Sequence, residues 1–375
     1  MLQAGSTTFL YLGRGVAFSS FVLELAEATH RHNRGTFSFM VADRGLVADW
    51  LEHMGIETIR IPTFAHRTPF HVAQGFLRAR RLVEQHLTAR PPGCVVTLMP
   101  HVWSPLMSPR IKRLGIRYAT VVHDAVPHPG DPTAWATSWL LRDVDSADVI
   151  VSLSRNVAEE IARRRPEASS RIVTLFHPDL QNGSGPVDRR FDRARPLRIL
   201  FFGRIMAYKG LPLLVEAVEI LRRDGHAIHL GVAGRGGIRG LTQRLAALNA
   251  EVLNDWLSDA DLAGLLARYD VMACSHIEAS QSGVAALAFG NTMPVVATPV
   301  GGITEQVVDG RNGIVSAAPT ARAFADAIRR LIVEPGLYDR LSQGIAESRS
   351  ERSMDHFLAR IVAATSVTGP ERVSH

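Results

Sequence analysis

Two positively charged side chains follow an apolar segment in the middle of the chain, at a spacing that suits a phosphate ligand. The apolar segment Leu197–Phe202 leads into Gly203 and Arg204, and Lys209 follows five residues after the arginine. A guanidinium can hold phosphate oxygens through two parallel hydrogen bonds, whereas an ammonium acts as a compact point charge. Lys209 is also one of only two lysines among 42 basic residues. A solvated turn is the alternative, but the pair predicts a diphosphate-binding loop.

A polar loop of a different kind follows the apolar segment Val271–Cys274. Ser282, between Gln281 and Gly283, is a favourable N-cap for the helical pattern that begins there, and the amides of a first helical turn attract anions. Glu278 lies earlier in the loop, where its carboxylate can accept hydrogen bonds from sugar hydroxyls. The alternative for Glu278 is a solvated charge or a partner for the helix dipole.

Two glycine-rich turns end other apolar segments in the same half of the chain. Gly234 opens one of them, and the missing side chain would let a ligand approach the backbone closely. Gly301 and Gly302 open the other, and Glu305 follows them. Both have ordinary alternatives, because a plain turn explains Gly234 equally well and the positive N-terminus of a helix attracts Glu305.

The first half of the chain contributes two further candidates. Gly13 and Gly15 follow the first apolar segment and precede a helical pattern, which predicts a loop that approaches a phosphate or an acceptor. His123 and Asp124 end another apolar segment, so we expect His123 to lie at the end of a strand and to face a ligand. A lone histidine with a structural role is the alternative.

Neither a metal site nor a resident cofactor is expected. The triplets 143–145 and 259–261 have the form Asp-x-Asp, but both fall on or beside helical patterns, and we interpret both as chance. The two cysteines, Cys94 and Cys274, are far apart, which excludes a disulfide framework and a structural zinc site and fits a reducing cytoplasm.

Short apolar segments alternate with amphipathic helical patterns along most of the chain. This alternation predicts βαβ units and parallel sheets, and therefore an α/β fold. In the first half the predicted strands are 8–12, 36–41, 94–99, 117–122, 148–153 and 171–175. In the second half they are 197–202, 227–233, 251–253, 271–274 and 294–298.

The chain is long enough for two domains. Residues 181–196 are rich in Gly, Pro and Arg and have no apolar period, so we interpret them as a linker. The prediction is a first Rossmann-like domain over residues 1–180 and a second over 197–350. A C-terminal helix and tail over 351–375 would pack back on the first domain. Because ligands bind at the carboxyl ends of parallel strands, the two sheets are expected to face each other across a cleft.

Charge and hydropathy limit the classes of partner that the protein can have. The net charge is 42 − 36 = +6, which suits anionic ligands or an anionic membrane face. The sequence has no dense block of Lys and Arg, so nucleic acid is not expected as a partner. The N-terminus lacks the pattern of a signal peptide, and no apolar run reaches the length of a membrane span. A cytoplasmic protein is therefore expected, with contact at the inner membrane face as an additional hypothesis.

The motifs of the second half, in their order and spacing, resemble the retaining nucleotide-sugar glycosyltransferases of family four, which have the GT-B fold. The resemblance covers residues 197 to about 331 specifically. In the first half it is looser and depends on the glycine loop at 13–15, on His123-Asp124 and on 147–154. It implies an enzyme that transfers a sugar from a nucleoside-diphosphate sugar, with retention and without a metal, in polysaccharide or glycoconjugate synthesis.

The resemblance also implies roles for single residues. Arg204 and Lys209 would grip the donor diphosphate, Glu278 would contact the transferred sugar, and His123 would approach that sugar. The family places a second acid eight positions after the first, where it usually holds the donor ribose. This chain has Ala286 there, so the loop of Gln281, Ser282 and Gly283 would carry the phosphate through its amides instead.

Two functions other than sugar transfer remain possible, and the identity of the acceptor is also open. A sugar-nucleotide epimerase of the same architecture, or a sugar-nucleotide-binding protein without turnover, would share the donor motifs. The acceptor would be a glycan, a lipid-linked molecule or a small molecule. The amphipathic segment 72–87, with Phe76, Ala79, Val83 and Leu87 on one face, would contact a membrane or, as the more favoured interpretation, cover the sheet.

Overall fold

A computed structural model describes residues 5–13, 18–32, 36–64, 68–127, 134–181 and 188–366 of the 375-residue chain. The chain divides into two compact units. The first unit comprises the chain up to Pro127, the segment Trp135–Phe176 and the chain from Met354 onward, and the second unit contains His177–Ser353.

The first unit is built on a seven-stranded parallel sheet with the order β3-β2-β1-β4-β5-β6-β7. Its strands are β1 (Thr7–Tyr11), β2 (Phe37–Ala42), β3 (Thr58–Ile61), β4 (Cys94–Met99), β5 (Arg117–Val122), β6 (Val149–Ser152) and β7 (Ile172–Thr174). The central strands are almost completely buried, as expected of a sheet that carries helices on both faces.

Helices cover both faces of this sheet, and the last helix of the chain is one of them. These helices are α1 (Ser19–His32), α2 (Leu46–His53), α3 (Pro69–Ala89), α4 (Ser104–Arg113), α5 (Ala134–Leu140), α6 (Asp143–Ser146), α7 (Arg155–Arg164) and α15 (Met354–Thr365). Phe357 of α15 packs edge-on against Phe21 of α1, with ring centroids 5.5 Å apart. Asp355 accepts hydrogen bonds from Arg31 at 2.9 Å and from His32 at 3.0 Å.

The second unit is built on a six-stranded parallel sheet with the order β10-β9-β8-β11-β12-β13. Its strands are β8 (Leu197–Phe202), β9 (Ile228–Ala233), β10 (Glu251–Leu253), β11 (Val271–Cys274), β12 (Val295–Ala297) and β13 (Gly313–Val315). Its helices are α8 (Leu211–Arg223), α9 (Thr242–Ala247), α10 (Asp259–Arg268), α11 (Gly283–Gly290), α12 (Ile303–Gln306), α13 (Ala321–Val333) and α14 (Leu337–Glu347). The predicted α/β fold with two parallel-sheet, Rossmann-like domains is confirmed.

The end of the predicted linker is part of the second unit. The guanidinium of Arg189 is buried and donates hydrogen bonds to the carbonyls of Leu266 (2.9 Å), Tyr269 (2.8 Å) and Asn291 (2.7 Å). These carbonyls lie at the C-terminal ends of α10 and α11, where backbone acceptors have no partner within the helix. One side chain therefore caps two helices.

Three elements differ from the sequence-based expectation. The predicted strands do not include β3 and β13. β3 alternates polar and apolar residues, and β13 contributes only Ile314 and Val315 as apolar side chains. A continuous helix is expected over 134–145, but α5 ends at Leu140 and α6 starts at Asp143. Asp143, the first residue of α6, is completely buried and accepts a hydrogen bond from the hydroxyl of Tyr118 at 2.7 Å.

Candidate active site

The strand order of the second unit identifies the edge where a ligand is expected. The order reverses between β8 and β11, and in open parallel sheets the loops after the strands at this point form a crevice for ligands. The loops in question are residues 203–210 after β8 and 275–282 after β11, which we call the β8 loop and the β11 loop. They contain Arg204, Lys209 and Glu278, so the sequence-predicted charges follow the two strands that flank the reversal.

The β8 loop folds so that Lys209 lies against its own backbone. Gly203 has a positive φ of 98°, and a Cβ atom there would lie 2.9 Å from the Nζ of Lys209. Gly210, with φ 66°, lies so close to the β11 loop that a Cβ atom would meet the carbonyl oxygen of Ser275 at 1.9 Å. Glycine is required at both positions, because a side chain would be strained and would displace its neighbour.

Hydrogen bonds join the β8 loop to the β11 loop. The hydroxyl of Ser275 donates to the carbonyl of Lys209 at 3.0 Å, and the amide of Ile277 donates to the carbonyl of Tyr208 at 2.7 Å. Glu278, whose side chain is exposed, comes directly after this junction. The bonds therefore hold the backbone of Lys209 close to the segment that carries Glu278.

Burial changes the acid–base behaviour of Lys209. It lowers the pKa of the ammonium to about 8, and the nearby positive charge of Arg204 acts in the same direction. Arg204 itself is exposed at the edge of the loop. A partly desolvated ammonium near an exposed guanidinium gives the loop a positive potential that favours binding of an anion.

The N-terminus of α11 lies at the end of the β11 loop. Ser282 caps the helix by accepting a hydrogen bond from the amide of Ala285 at 3.2 Å. Its own amide donates to Oε1 of Gln306 at 2.7 Å, and Nε2 of Gln306 donates back to the carbonyl of Ser282 at 3.2 Å. The Ser282 amide is therefore occupied, contrary to the expectation that it would hold a phosphate. The next two amides, of Gly283 and Val284, have no partner within the helix and suit an anion.

Two of the residues that fix this arrangement are not among the sequence-based candidates. Gln306 clamps Ser282, and Thr298 after β12 donates from its buried hydroxyl to the carbonyl of His276 at 2.5 Å. Both act through backbone atoms of the β11 loop. A polar residue at the end of an apolar strand is the only signal for Thr298, and the sequence contains no comparable signal for Gln306.

The remaining candidates of the second unit have distinct environments. Gly234 has a φ of 130°, and a Cβ atom there would meet the carbonyl of Gly203 at 2.1 Å, so its close approach is to the neighbouring loop. Glu305 lies half-buried in the first turn of α12. Gln281 is half-buried beside Ser282. These three stay predictions as ligand contacts.

Ala286 is buried within α11, and its backbone carbonyl binds a distant segment of the chain. Its side chain is 1% exposed, and its carbonyl accepts a hydrogen bond from the amide of Leu180 at 3.1 Å. The carboxylate that the family resemblance implies for the donor ribose therefore has no counterpart at this position.

In the first unit His123 lies at the end of β5 and is buried. Its Nε2 donates to the carbonyl of Leu98 at 2.8 Å, and its ring packs edge-on against Phe18 at 4.7 Å. Burial lowers the pKa of His123, although the Leu98 carbonyl and Asp124 oppose the shift. The residue is only 8% exposed, and its contact with a ligand stays a prediction.

The other candidate residues of the first unit are Gly13, Gly15 and Asp124, and Gly13 has a packing role. A Cβ atom at Gly13 would lie 2.6 Å from the ring of Tyr11, so glycine makes room for this buried ring. Gly15 lies outside the described residues, and Asp124 is exposed beside His123.

Charged residues of the first unit that the sequence analysis singled out pair within the fold. Lys112, the other lysine, forms an ion pair with Asp148. Asp145 of the first Asp-x-Asp triplet is exposed and pairs with Arg165 at 3.1 Å, whereas Asp143 of the same triplet is buried. The two carboxylates of this triplet therefore have different environments, which agrees with its interpretation as chance.

The apolar face predicted for the segment 72–87 packs against the sheet. Ala79, Val83 and Leu87 of α3 are buried in the core, and Phe76 packs partly against it. The favoured interpretation, a sheet-covering helix, is therefore the one the packing supports. Phe70 and Leu77 lie outside that face and are 71% and 55% exposed.

No helix within the described ranges is both long enough and apolar enough to cross a membrane. In the same part of the chain, no group of three or more His, Cys, Asp and Glu side chains is placed to hold a metal ion.

Comparison with known proteins gives two kinds of similarity. Residues 196–334 match the family model described as glycosyl transferases group 1. The D-inositol 3-phosphate glycosyltransferase of Nocardioides sp. is 27% identical over 248 residues, which cover 57% of this chain and 52% of that protein. The alpha-D-kanosaminyltransferase of Streptomyces kanamyceticus is 26% identical over 236 residues, which cover 58% of each chain. The alignments thus span only about half the length of these curated relatives.

The similarity to solved structures extends over nearly the whole chain. The crystal structure of Anabaena Alr3699/HepE in complex with UDP superposes with a TM-score of 0.72 at 15% identity, covering 96% of this chain and 99% of that one. At this level of identity the likeness establishes the fold, which is GT-B. The resemblance to glycosyl transferases group 1 is confined to residues 196–334, the range that the family model matches.

Proposed function

We propose that the chain is a glycosyltransferase that transfers a sugar from a nucleoside-diphosphate sugar to an acceptor hydroxyl. One observation carries the proposal: the partly desolvated ammonium of Lys209 lies against Gly203 in a loop that is hydrogen-bonded to the segment carrying Glu278. A diphosphate would bind here, because its negative charge would neutralise the positive charges of Lys209 and Arg204. The nucleotide-sugar donor is consistent with the family match of the same residues.

The chemistry of the leaving group explains why positive charge is needed. When the bond between the anomeric carbon and the diphosphate breaks, negative charge develops on the β-phosphate. We propose that Lys209, Arg204 and the amides of Gly283 and Val284 stabilise that charge. Loss of one such donor typically slows an enzyme about 10²–10³-fold. We propose that these groups do the work that a divalent cation does elsewhere, so that no metal is needed.

We further propose that the reaction proceeds with retention. The acceptor oxygen would bond to the anomeric carbon on the face that the diphosphate leaves, and the acceptor proton would pass to a leaving phosphate oxygen. Glu278 would hold hydroxyls of the transferred sugar. The anomeric coupling constant of the product, measured by NMR, distinguishes retention from inversion.

The acceptor is proposed to be a glycan, a lipid-linked molecule or a small molecule used in polysaccharide or glycoconjugate synthesis in the cytoplasm. A peripheral membrane contact at the inner face has one supporting observation. Phe70 and Leu77 of α3 are exposed close to the exposed Arg78 and Arg81, a combination that suits an anionic lipid surface. Sedimentation with phosphatidylglycerol vesicles, compared with phosphatidylcholine vesicles, tests it. Equal recovery with both would contradict it.

Product analysis with a panel of nucleotide sugars tests the proposed activity. Transfer predicts a glycosylated acceptor together with released nucleoside diphosphate, in the presence of a chelator as well as in its absence. An altered sugar still attached to its nucleotide would instead establish an epimerase. Binding of donors without any product, with every donor and acceptor tried, would indicate a protein without turnover. Ala286 is the feature that would favour this alternative.

A further inference from the structure

A second cavity lies in the first unit, at the amino-terminal edge of its sheet. It has a volume of about 450 Å³, within the range of small-molecule sites. β1 and β2 begin beside it at Thr7 and Phe37, and α3 ends beside it at Ala89. Because His123 follows the carboxyl end of β5, the cavity lies at the opposite edge of the sheet from that histidine.

Hydroxyl groups replace apolar side chains where the sheet meets this cavity. Along the face that packs against α3, Leu10 and Met40 are buried in the core together with Leu87. Thr8 and Ser38 stand two residues earlier on the same face, since side chains alternate along a strand, and their hydroxyls are 2.9 Å apart. Continuing the apolar column would have filled the space. Four residues with hydroxyl side chains line the cavity instead, namely Ser6, Thr8, Thr36 and Ser38, and the Ser6 hydroxyl accepts a hydrogen bond from the amide of Gly93 at 3.3 Å.

Proline rings supply apolar surface next to the hydroxyls. Phe37 also lines the cavity, but its ring stacks on Phe9, on the opposite face of the sheet from Thr8 and Ser38, with centroids 6.0 Å apart. Pro91 and Pro92 close the other side between α3 and β4. Flat apolar faces beside hydroxyl groups match the two kinds of surface on a sugar ring, its C–H face and its hydroxyl rim.

The charges at the rim cancel each other. Arg90 donates to Glu57 at 3.1 Å, and these two side chains are the oppositely charged pair that lines the cavity. A guanidinium already paired with a carboxylate attracts an anion weakly, while both groups keep further hydrogen-bonding capacity. The lining therefore favours a neutral polar ligand over a phosphate or a carboxylate.

We infer that this cavity is a second ligand site, which binds a neutral polyhydroxylated molecule of one or two rings, such as a saccharide or a cyclitol. The inference is independent of the proposed sugar transfer, because it concerns the opposite edge of the first sheet and requires no nucleotide. It gives the first unit a saccharide-holding site away from the strand ends where transfer is proposed.

The test uses the full-length protein labelled with ¹³C at alanine methyl groups. Ala89 lines the cavity, and its NMR signal is assigned by its loss in Ala89→Gly. Maltose, sucrose and myo-inositol are titrated as neutral probes, with glucose 6-phosphate as the charged comparison. At least one neutral probe is expected to shift the Ala89 signal saturably, more strongly than glucose 6-phosphate, and saturating UDP is expected to leave that shift unchanged.

Two matched variants assign the shift to the cavity. Ser38→Val removes a lining hydroxyl and extends the apolar column, so we expect the affinity to fall about tenfold, as loss of one hydrogen bond would produce. Thr88→Val removes an exposed hydroxyl of α3 that lies outside the cavity, and the affinity is expected to be unchanged. No saturable shift in the wild type with any neutral probe overturns the inference. An equal loss of affinity in both variants also overturns it. Either result leaves the proposed transfer activity untouched.

Discussion

The Nζ of Lys209 lies so close to the backbone of Gly203 that a single methyl group there would be 2.9 Å away from it. A glycine with a positive φ thus leaves room for the ammonium where β8 ends, and the Ser275 hydroxyl holds the backbone carbonyl of Lys209. The proposed diphosphate site requires a positive charge at this position.

Gly203→Ala is predicted to weaken nucleoside-diphosphate binding about tenfold or more, because the new methyl group displaces the ammonium. Gly225→Ala is the matched control, since Gly225 also has a positive φ, of 86°, but has open space around its Cα. Both variants carry the backbone strain, on the order of 1–2 kcal/mol. Isothermal calorimetry compares their affinities. A loss of similar size in both would mean that strain, and not displacement of Lys209, causes it.

The affinity for a nucleoside diphosphate is predicted to fall as the pH rises through about 8. Burial lowers the pKa of Lys209 to about 8 in the free protein, so the ammonium loses its proton above that pH. A bound diphosphate stabilises the charged form, and the protein therefore takes up protons on binding near pH 8. Calorimetry in two buffers of different ionisation enthalpy measures this uptake. Lys209→Met should bind about tenfold or more weakly at pH 7 and lose the uptake, whereas an unchanged uptake in Lys209→Met would assign it to another group.

Glu278→Gln is predicted to lower kcat about 10–100-fold while the affinity for the nucleoside diphosphate stays near that of the wild type. The amide weakens charged hydrogen bonds to sugar hydroxyls, which are worth about 1.5–3 kcal/mol each, but leaves the diphosphate contacts intact. Glu347→Gln, at an exposed position of α14, is the control and should retain the wild-type kcat. Steady-state kinetics and calorimetry give the two readouts. A parallel loss of both in Glu278→Gln would assign this residue a structural role.

Arg189→Leu is predicted to lower the free energy of unfolding by about 3–5 kcal/mol, because it leaves three buried carbonyls at the ends of α10 and α11 without their donor. Its neighbour offers a matched control, since the side chain of Arg190 is 85% exposed. Arg190→Leu should stay within about 0.5 kcal/mol of the wild type. Urea denaturation measures both. Equal stabilities would contradict the capping role of Arg189.

The central strands and the charged residues of the second unit can be predicted from the sequence because they have local signatures. An apolar segment that ends in Gly and Arg, as at 202–204, indicates a buried strand and the loop after it without reference to distant residues. Ser282 is recognisable as an N-cap for the same reason. The strands β3 and β13 have no such local signature, since neither ends in a Gly-Arg or N-cap pattern of this kind.

Contacts between distant parts of the chain cannot be predicted in this way. In the sequence Arg189 is one of many arginines in a Gly- and Pro-rich segment, yet it caps helices 77 to 102 residues later. Gln306 occupies the Ser282 amide from 24 residues away, which moves the expected anion contacts to the next two amides. The sequence places His123 correctly at a strand end, but its burial against Phe18 depends on tertiary packing.

A crystal structure of the protein with a nucleoside diphosphate bound would test the central claim most directly. The prediction is that a β-phosphate oxygen lies about 2.7–2.9 Å from the Nζ of Lys209, with the amides of Gly283 and Val284 directed at the same phosphate. A diphosphate that binds elsewhere, with Lys209 making no contact to it, would contradict the account.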